Sequence, residues 1–201
     1  MLGTYFWRAV RTGLAAGATI AATACSTPAT PVPTFDLIAP RDFGHVRPAR
    51  GLLAIAVPTA LQALDTEKIM VEPAPGEVTY ASDAQWSDRL PRLLQARIVE
   101  TFENGTRIRT VARAGDRVTA DAQLVTDIRQ FSIQVGNSGK EAVVELSVKI
   151  IGERGGRIAA ANVFYAHVPA AGANGSAAVN ALNDALAQVL VELVRWTATK
   201  I

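Results

Sequence analysis

Residues 120–150 read ADAQLVTDIRQFSIQVGNSGKEAVVELSVKI, and this stretch decides the architecture. Its second half alternates without a fault. Ala142, Val144, Leu146, Val148 and Ile150 lie on one side and Glu141, Glu145 and Lys149 on the other, which is the pattern of a strand with one buried face. The first half alternates too but changes phase: Ala122, Leu124 and Ile128 fit one face, whereas Phe131, Ile133 and Val135 fit the opposite one. One extra residue near Ile128 puts both sets on the same side, so a β-bulge is expected there. Gly136-Asn137-Ser138-Gly139 separates the halves as a hairpin turn. A second turn, Gly152-Glu153-Arg154-Gly155-Gly156, leads into an apolar run over residues 158–168. The segment is therefore an antiparallel meander.

Working outward, two helices flank it. Leu90, Leu93, Leu94, Ile98 and Phe102 recur at three- and four-residue intervals within residues 86–103, giving one apolar stripe. Pro91 fits only a first turn, so regular helix begins near Leu90 with residues 86–89 as a looser lead-in. Asn104-Gly105 is expected to supply a left-handed stop. The second helix, over residues 176–197, carries Val179, Leu182, Leu186, Val189, Leu190 and Leu193, with Ser176 as its expected cap. Upstream, residues 35–38, 52–57 and 108–111 read as short strands, residues 61–64 as one helical turn, and residues 68–72 and 77–80 as a hairpin around Pro73-Ala74-Pro75-Gly76. Single-striped helices need a sheet to cover them. The expected class is α+β: an antiparallel-rich mixed sheet with two main helices packed on one face.

The first 34 residues read differently. Arg8 and Arg11 are the only charges before Asp36, and residues 13–24, GLAAGATIAATA, are small or apolar. A basic start, a short apolar run and small residues before a cut are the layout of an export signal. The run is too short to span a bilayer, which takes about 20 residues. Ala22-Thr23-Ala24 suits the general signal peptidase, and Ala22-Thr23-Ala24-Cys25 is similar to a lipobox with alanine where leucine is usual. Either cut leaves Cys25 first. Cys25 is the sole cysteine of the sequence, and a lone exposed thiol in an oxidising compartment invites unwanted pairing. Acylation removes that thiol, so Cys25 is expected to carry a lipid. Ser26-Thr27-Pro28-Ala29-Thr30-Pro31-Val32-Pro33-Thr34 then favours polyproline II, and nine such residues reach at most about 28 Å. The expected organisation is an export signal over residues 1–24, a lipidated cysteine and proline-rich tether over 25–34, and a single domain over 35–201.

Composition excludes several classes of function. With Arg8 and Arg11 set aside, the 20 basic residues fall to 18 and balance the 18 acidic ones, so the body lacks the positive charge that nucleic acid demands. The 2 histidines, His45 and His167, show no ligand spacing, and one cysteine cannot build a structural zinc site. Gly136 to Lys140 superficially evokes the end of a phosphate loop, but Gln134 stands where that loop's first glycine belongs and Glu141 where its hydroxyl belongs. No nucleophile elbow occurs. The reading is a non-enzyme with no cofactor and no metal.

Residues 55–99 hold the most distinctive pattern. Ile55-Ala56-Val57-Pro58 is followed by Leu64-Asp65, Ile69-Met70-Val71, Tyr80 and Trp86-Ser87-Asp88-Arg89-Leu90, then Leu94 and Ile98. With Phe35-Asp36-Leu37 before it and Asp127-Ile128-Arg129-Gln130-Phe131 after it, the chain resembles the auxiliary lipoprotein family of ABC-type transporters over residues 34–194. The resemblance implies a periplasmic, lipid-anchored subunit accompanying an MCE-domain lipid transporter, as in the paraquat-inducible system. Such a subunit would help dock the MCE protein at the outer membrane. Its partners would be the MCE-domain protein and the ABC transporter subunits, with the membrane engaged through the lipid and a homo-oligomer compatible with that role. Ser26 after the cysteine is consistent with outer-membrane sorting. Where the family often has an arginine after the aspartate and an aromatic before the leucine, this chain has Thr66 and Ala63. Trp86, Asp88 and Arg89 are the candidate partner contacts. Each also has a structural reading, as a core-capping indole, a helix-start carboxylate and a solvated charge. The rival function is an independent carrier of a lipid or other apolar ligand between helices and sheet, which would need an apolar cavity of roughly 300 Å³ or more.

Overall fold

β7 (Ala122–Gly136) is the spine of the molecule. The computed structural model describes residues 31–44, 46, 51–106, 111–137, 139–153 and 155–201, of which Val32–Ile201 form one compact unit. Along one edge β7 pairs antiparallel with β8 (Gly139–Gly152), from Ala122↔Gly152 to the hairpin end at Gly136↔Gly139. The expected bulge is there. Ile128 faces Leu146 and Gln130 faces Glu145, leaving Arg129 unmatched. The extra residue turns Phe131 and Ile133 to the side already occupied by Leu124 and Ile128, and all four are buried. Gly139 takes φ 135°, a conformation that glycine adopts without strain, as the turn requires. β9 (Arg157–Pro169) completes the meander by pairing antiparallel with β8.

The other edge of β7 is tiled. β2 (Leu53–Ile55), β3 (Thr59–Ala60) and β4 (Lys68–Glu72) lie in succession along it, all parallel to it. No crossover is needed between these three, because the chain simply advances along β7 with two interruptions. Pro58 marks the first, where a missing N–H breaks the ladder. Residues 61–67 loop out at the second. β5 (Thr79–Trp86) pairs antiparallel with β4, and β1 (Thr34–Phe35) pairs parallel with β5. β6 (Val111–Arg113) pairs parallel with β2. The sheet is mixed, with its longest pairings antiparallel.

Both helices cover one face. α1 is Leu90–Thr106 and packs on β2 and β6, while α2, Gly175–Thr197, packs on β8, β9 and β5. Leu94, Ile98 and Phe102 from α1 meet Leu182, Leu186, Val189 and Leu190 from α2 in the same core, each fully buried. Burying one such side chain contributes about 1.5–3 kcal/mol. By length and hydropathy α2 could cross a membrane, but its apolar positions form the core. On the opposite face Glu72 accepts hydrogen bonds from Gln130, from Ser132 Oγ at 3.0 Å and from Gln134 at 3.3 Å. Around Glu72 that face is polar, while Val163 and Tyr165 lie exposed further along it.

Residues 36–44 strap the helices from outside. Ile38 N donates to Asn183 Oδ1 at 2.9 Å, the Arg195 guanidinium donates to Phe43 O at 2.9 Å, and Arg97 pairs with Asp36 at 3.0 Å. Leu37, Ala39 and Phe43 are buried beneath the strap. This explains Gly105, which does not end α1 by a left-handed turn. The helix continues through it, and a Cβ there would stand 2.9 Å from the Phe43 ring. Glycine is needed for a close approach, not for a turn.

Three further expectations shift. Trp86 ends β5 rather than leading into α1. The strand read at 35–38 is Thr34–Phe35 only, and that read at 108–111 is observed at Val111–Arg113, with 107–110 outside the described residues. Ser176 does not cap α2. The N-cap position is Asn174, which makes no side-chain cap bond, and Asp83 Oδ1 accepts from Gly175 N at 2.9 Å instead. Asp83 reaches there because β5 bulges between Tyr80 and Gln85, where Met70 faces Tyr80 and Lys68 faces Gln85.

Candidate functional site

The loop that leaves β7 at residues 61–67 folds back on itself. Leu64 N and Asp65 N both donate to Leu61 O, at 2.9 and 3.0 Å, which makes the single helical turn expected there. Leu64 is buried under the turn while Leu61 stands 78% exposed at its tip. The turn is held from three sides. Tyr80 Oη donates to Ala63 O at 3.1 Å, Trp86 N to Glu67 O at 2.7 Å, and Leu90 N to Thr66 O at 3.1 Å. Ser87 N donates to Phe35 O at 2.8 Å, tying the N-terminal strand into the same corner.

Arg89 closes it. Its Nε donates to Asp65 Oδ1 at 2.8 Å, and its second terminal nitrogen reaches Asp65 Oδ2 at 2.6 Å and Asp65 O at 3.1 Å. The fork geometry fixes the guanidinium plane. Both side chains are substantially exposed, at 53% and 35%, so the pair contributes only about 0–1 kcal/mol to stability. Asp88 Oδ1 accepts from Arg89 N at 2.7 Å, a local bond at the entrance to α1. Lys68 Nζ lies 5.3 Å over the Tyr80 ring. The corner thus presents a positioned cation and anion, an aromatic ring and an exposed leucine around a shallow recess of about 450 Å³ lined by Gln62, Ala63, Asp65, Thr66, Lys68 and Tyr80.

Of the residues singled out from sequence, the structure brings Asp88 and Arg89 to this surface and puts Trp86 behind it. Trp86 is 2% exposed and meets Phe131 edge to face, with ring centroids 6.0 Å apart. It joins the corner to the spine and presents almost nothing to solvent. Cys25 lies outside the described residues. Sequence reasoning missed Leu61 and the Asp65–Arg89 pair. The only available signal was the shared membership of Leu64-Asp65, Tyr80 and Trp86-Ser87-Asp88-Arg89 in one family-like pattern, since these residues meet only through the looped-out turn.

No group of three or more His, Cys, Asp or Glu residues suited to a metal occurs among the described residues. The carrier reading places its ligand between the helices and the sheet. Between the helices and the sheet stand Leu94, Ile98, Phe102, Leu124, Leu146 and Leu186, all fully buried. A recess of about 570 Å³ is an open groove outside the core between the tips of the β4–β5 and β7–β8 hairpins, lined by residues such as Glu72, Pro75 and Gln134.

The family described as the ABC-type transport auxiliary lipoprotein component matches residues 35–194. The uncharacterized protein bll6063 of Bradyrhizobium diazoefficiens is 32% identical over 166 residues, which cover 82% of this chain and 44% of that protein. The chain therefore spans less than half the length of that curated relative. Among solved structures, protein XCC0632 from Xanthomonas campestris, of family DUF330, superposes with a TM-score of 0.75 at 27% identity, covering 85% of this chain and 96% of that one. The hypothetical protein CT253 from Chlamydia trachomatis shares the fold at 9% identity, with a TM-score of 0.54 and coverage of 76% and 98%. The chain belongs to the ABC-type transport auxiliary lipoprotein family.

Proposed function

We propose that this auxiliary lipoprotein is a non-enzymatic docking subunit of an MCE-type ABC lipid transport system, anchored through acylated Cys25 in the periplasm and, by Ser26, at the outer membrane. Family membership supports a role beside an ABC transporter. The observation that carries the docking role is the convergence of Leu61, Asp65, Tyr80, Asp88 and Arg89 on one rigid, exposed corner. An exposed apolar side chain beside a preorganised ion pair and an aromatic ring is the composition of a protein contact. Trp86 supports that surface from beneath. ATP hydrolysis falls to another subunit, since Gln134 and Glu141 break the phosphate-loop motif.

The carrier alternative has a weaker basis, because the layer between helices and sheet is filled by side chains. The tether adds a constraint. A proline-rich arm of about 28 Å holds the body near one membrane, so any periplasm-spanning path requires a second protein. The test is to purify the protein from its native envelope. A mature N-terminal peptide beginning at Cys25 with the added mass of acyl chains, together with stoichiometric MCE-domain protein, is expected. An unmodified start, or stoichiometric lipid without the MCE protein, would reject the reading.

A further inference from the structure

We infer that two copies of this chain pair through the free edge of β9, antiparallel about a twofold axis at Val163. The two margins of the sheet differ sharply. On one side it ends in β1 and β6, of 2 and 3 residues, too short to template another strand. On the other it ends in β9, 13 residues long, which among the described residues pairs only with β8. Edge strands are normally blunted by brevity, lysine, proline or inward charge. Residues 158–166 of β9 contain no charged residue and no proline. Ala161, Asn162 and Val163 are exposed in succession, as an open edge requires.

The side chains select the occupant. On the face away from the helices β9 presents Tyr165, Val163 and Ala161, paired across β8 with Glu145, Ser147 and Lys149. Tyr165 is 67% exposed and Val163 38%. An antiparallel copy centred on Val163 sets each Tyr165 against the partner's small Ala161 and the two Val163 residues against each other. On the helix face the same register sets Phe164 against Asn162 and Ala166 against Ala160. Large therefore meets small on the outer face, and no like charges oppose one another within residues 160–166. A shift of register by two residues would instead crowd Tyr165 against Val163 in one direction, or in the other set it against Ala159, where the β8–β9 register slips. β1 lies at the margin opposite β9. This surface is distinct from the Asp65–Arg89 corner, and the pairing stands or falls without the docking role.

The test uses the full protein in detergent. Sedimentation should give twice the mass of one chain, falling to one chain for Val163→Glu, which sets two carboxylates face to face on the axis. Tyr165→Lys combined with Ala161→Glu should remain dimeric, because each lysine then faces the partner's glutamate. Under mild oxidation Val163→Cys should crosslink to itself at least about tenfold faster than Val118→Cys, an exposed control off the edge, through the high effective concentration on the axis. Circular dichroism establishes that each variant is folded. A single-chain wild type, a dimer indifferent to Val163→Glu, or equal crosslinking at positions 163 and 118 would overturn the pairing, as would crosslinking of Val163→Cys to a different protein.

Discussion

The two edges of β7 are built on opposite plans. Its β8 edge is one continuous hairpin with a single bulge at Arg129, in which every pairing follows from the turn. Its other edge is assembled from three short parallel pieces whose partners lie about 60–70 residues away. Along the hairpin edge β7 is paired from end to end by a single strand. The tiled edge has to be pinned by α1, by the strap and by Trp86, and its interruption produces the exposed corner. Irregularity and function occur together because a looped-out turn escapes the ladder while remaining fastened at its base.

That contrast can be broken at its supports. Leu94→Ala, in the helix covering the tiled edge, should lose about 2–5 kcal/mol by chemical denaturation, because Leu94 is fully buried. A loss under about 1 kcal/mol would mean the helix is not what pins that edge. Gly105→Ala should cost about 1–3 kcal/mol by overpacking against Phe43. An ordinary exposed helix glycine would instead gain up to about 1 kcal/mol from the same change, so the sign of the effect decides whether the strap is seated as described.

Smaller effects sharpen the picture. Asp83→Ala removes the carboxylate that receives Gly175 N, and should cost about 0.5–2 kcal/mol, in the range of helix-cap losses. Ser176→Ala should be close to neutral in the same melt, since Ser176 is not the cap. Arg89→Ala should likewise change stability by no more than about 1 kcal/mol, because its pair with Asp65 is solvent-screened.

The same contrast explains what could be read in advance. The meander, its bulge near Ile128 and both helix stripes were legible because period-2 and period-3.6 patterns are local and each decides its own burial. The hairpin of residues 68–80 was legible from its proline-rich turn. The parallel order of β2, β3 and β4 was not, since nothing local to Leu53-Ala54-Ile55 names Ala122-Gln123-Leu124 as its neighbour. Asp83 as the cap of α2 was equally hidden, because the donor and acceptor lie 92 residues apart. Gly105 misled for a specific reason: Asn-Gly suits a left-handed stop, and only the Phe43 ring reveals that space, not φ, demanded the glycine. At the corner, Arg89 and Asp88 were legible as candidates, whereas Leu61 required knowing that its turn projects from the sheet. Trp86 was legible in both of its readings, and its 2% exposure favours the packing one.

The measurement closest to the central claim is the affinity of the purified full protein for the MCE-domain protein of its own envelope, compared with a Leu61→Asp, Arg89→Ala variant whose melting temperature is matched to wild type. The docking account predicts saturable binding by wild type and a loss of about tenfold or more in the variant, as expected when contact residues at the centre of an interface are removed. Equal binding by the two proteins would move the contact away from the corner. No binding by wild type, with lipid bound in its place, would contradict the docking role itself.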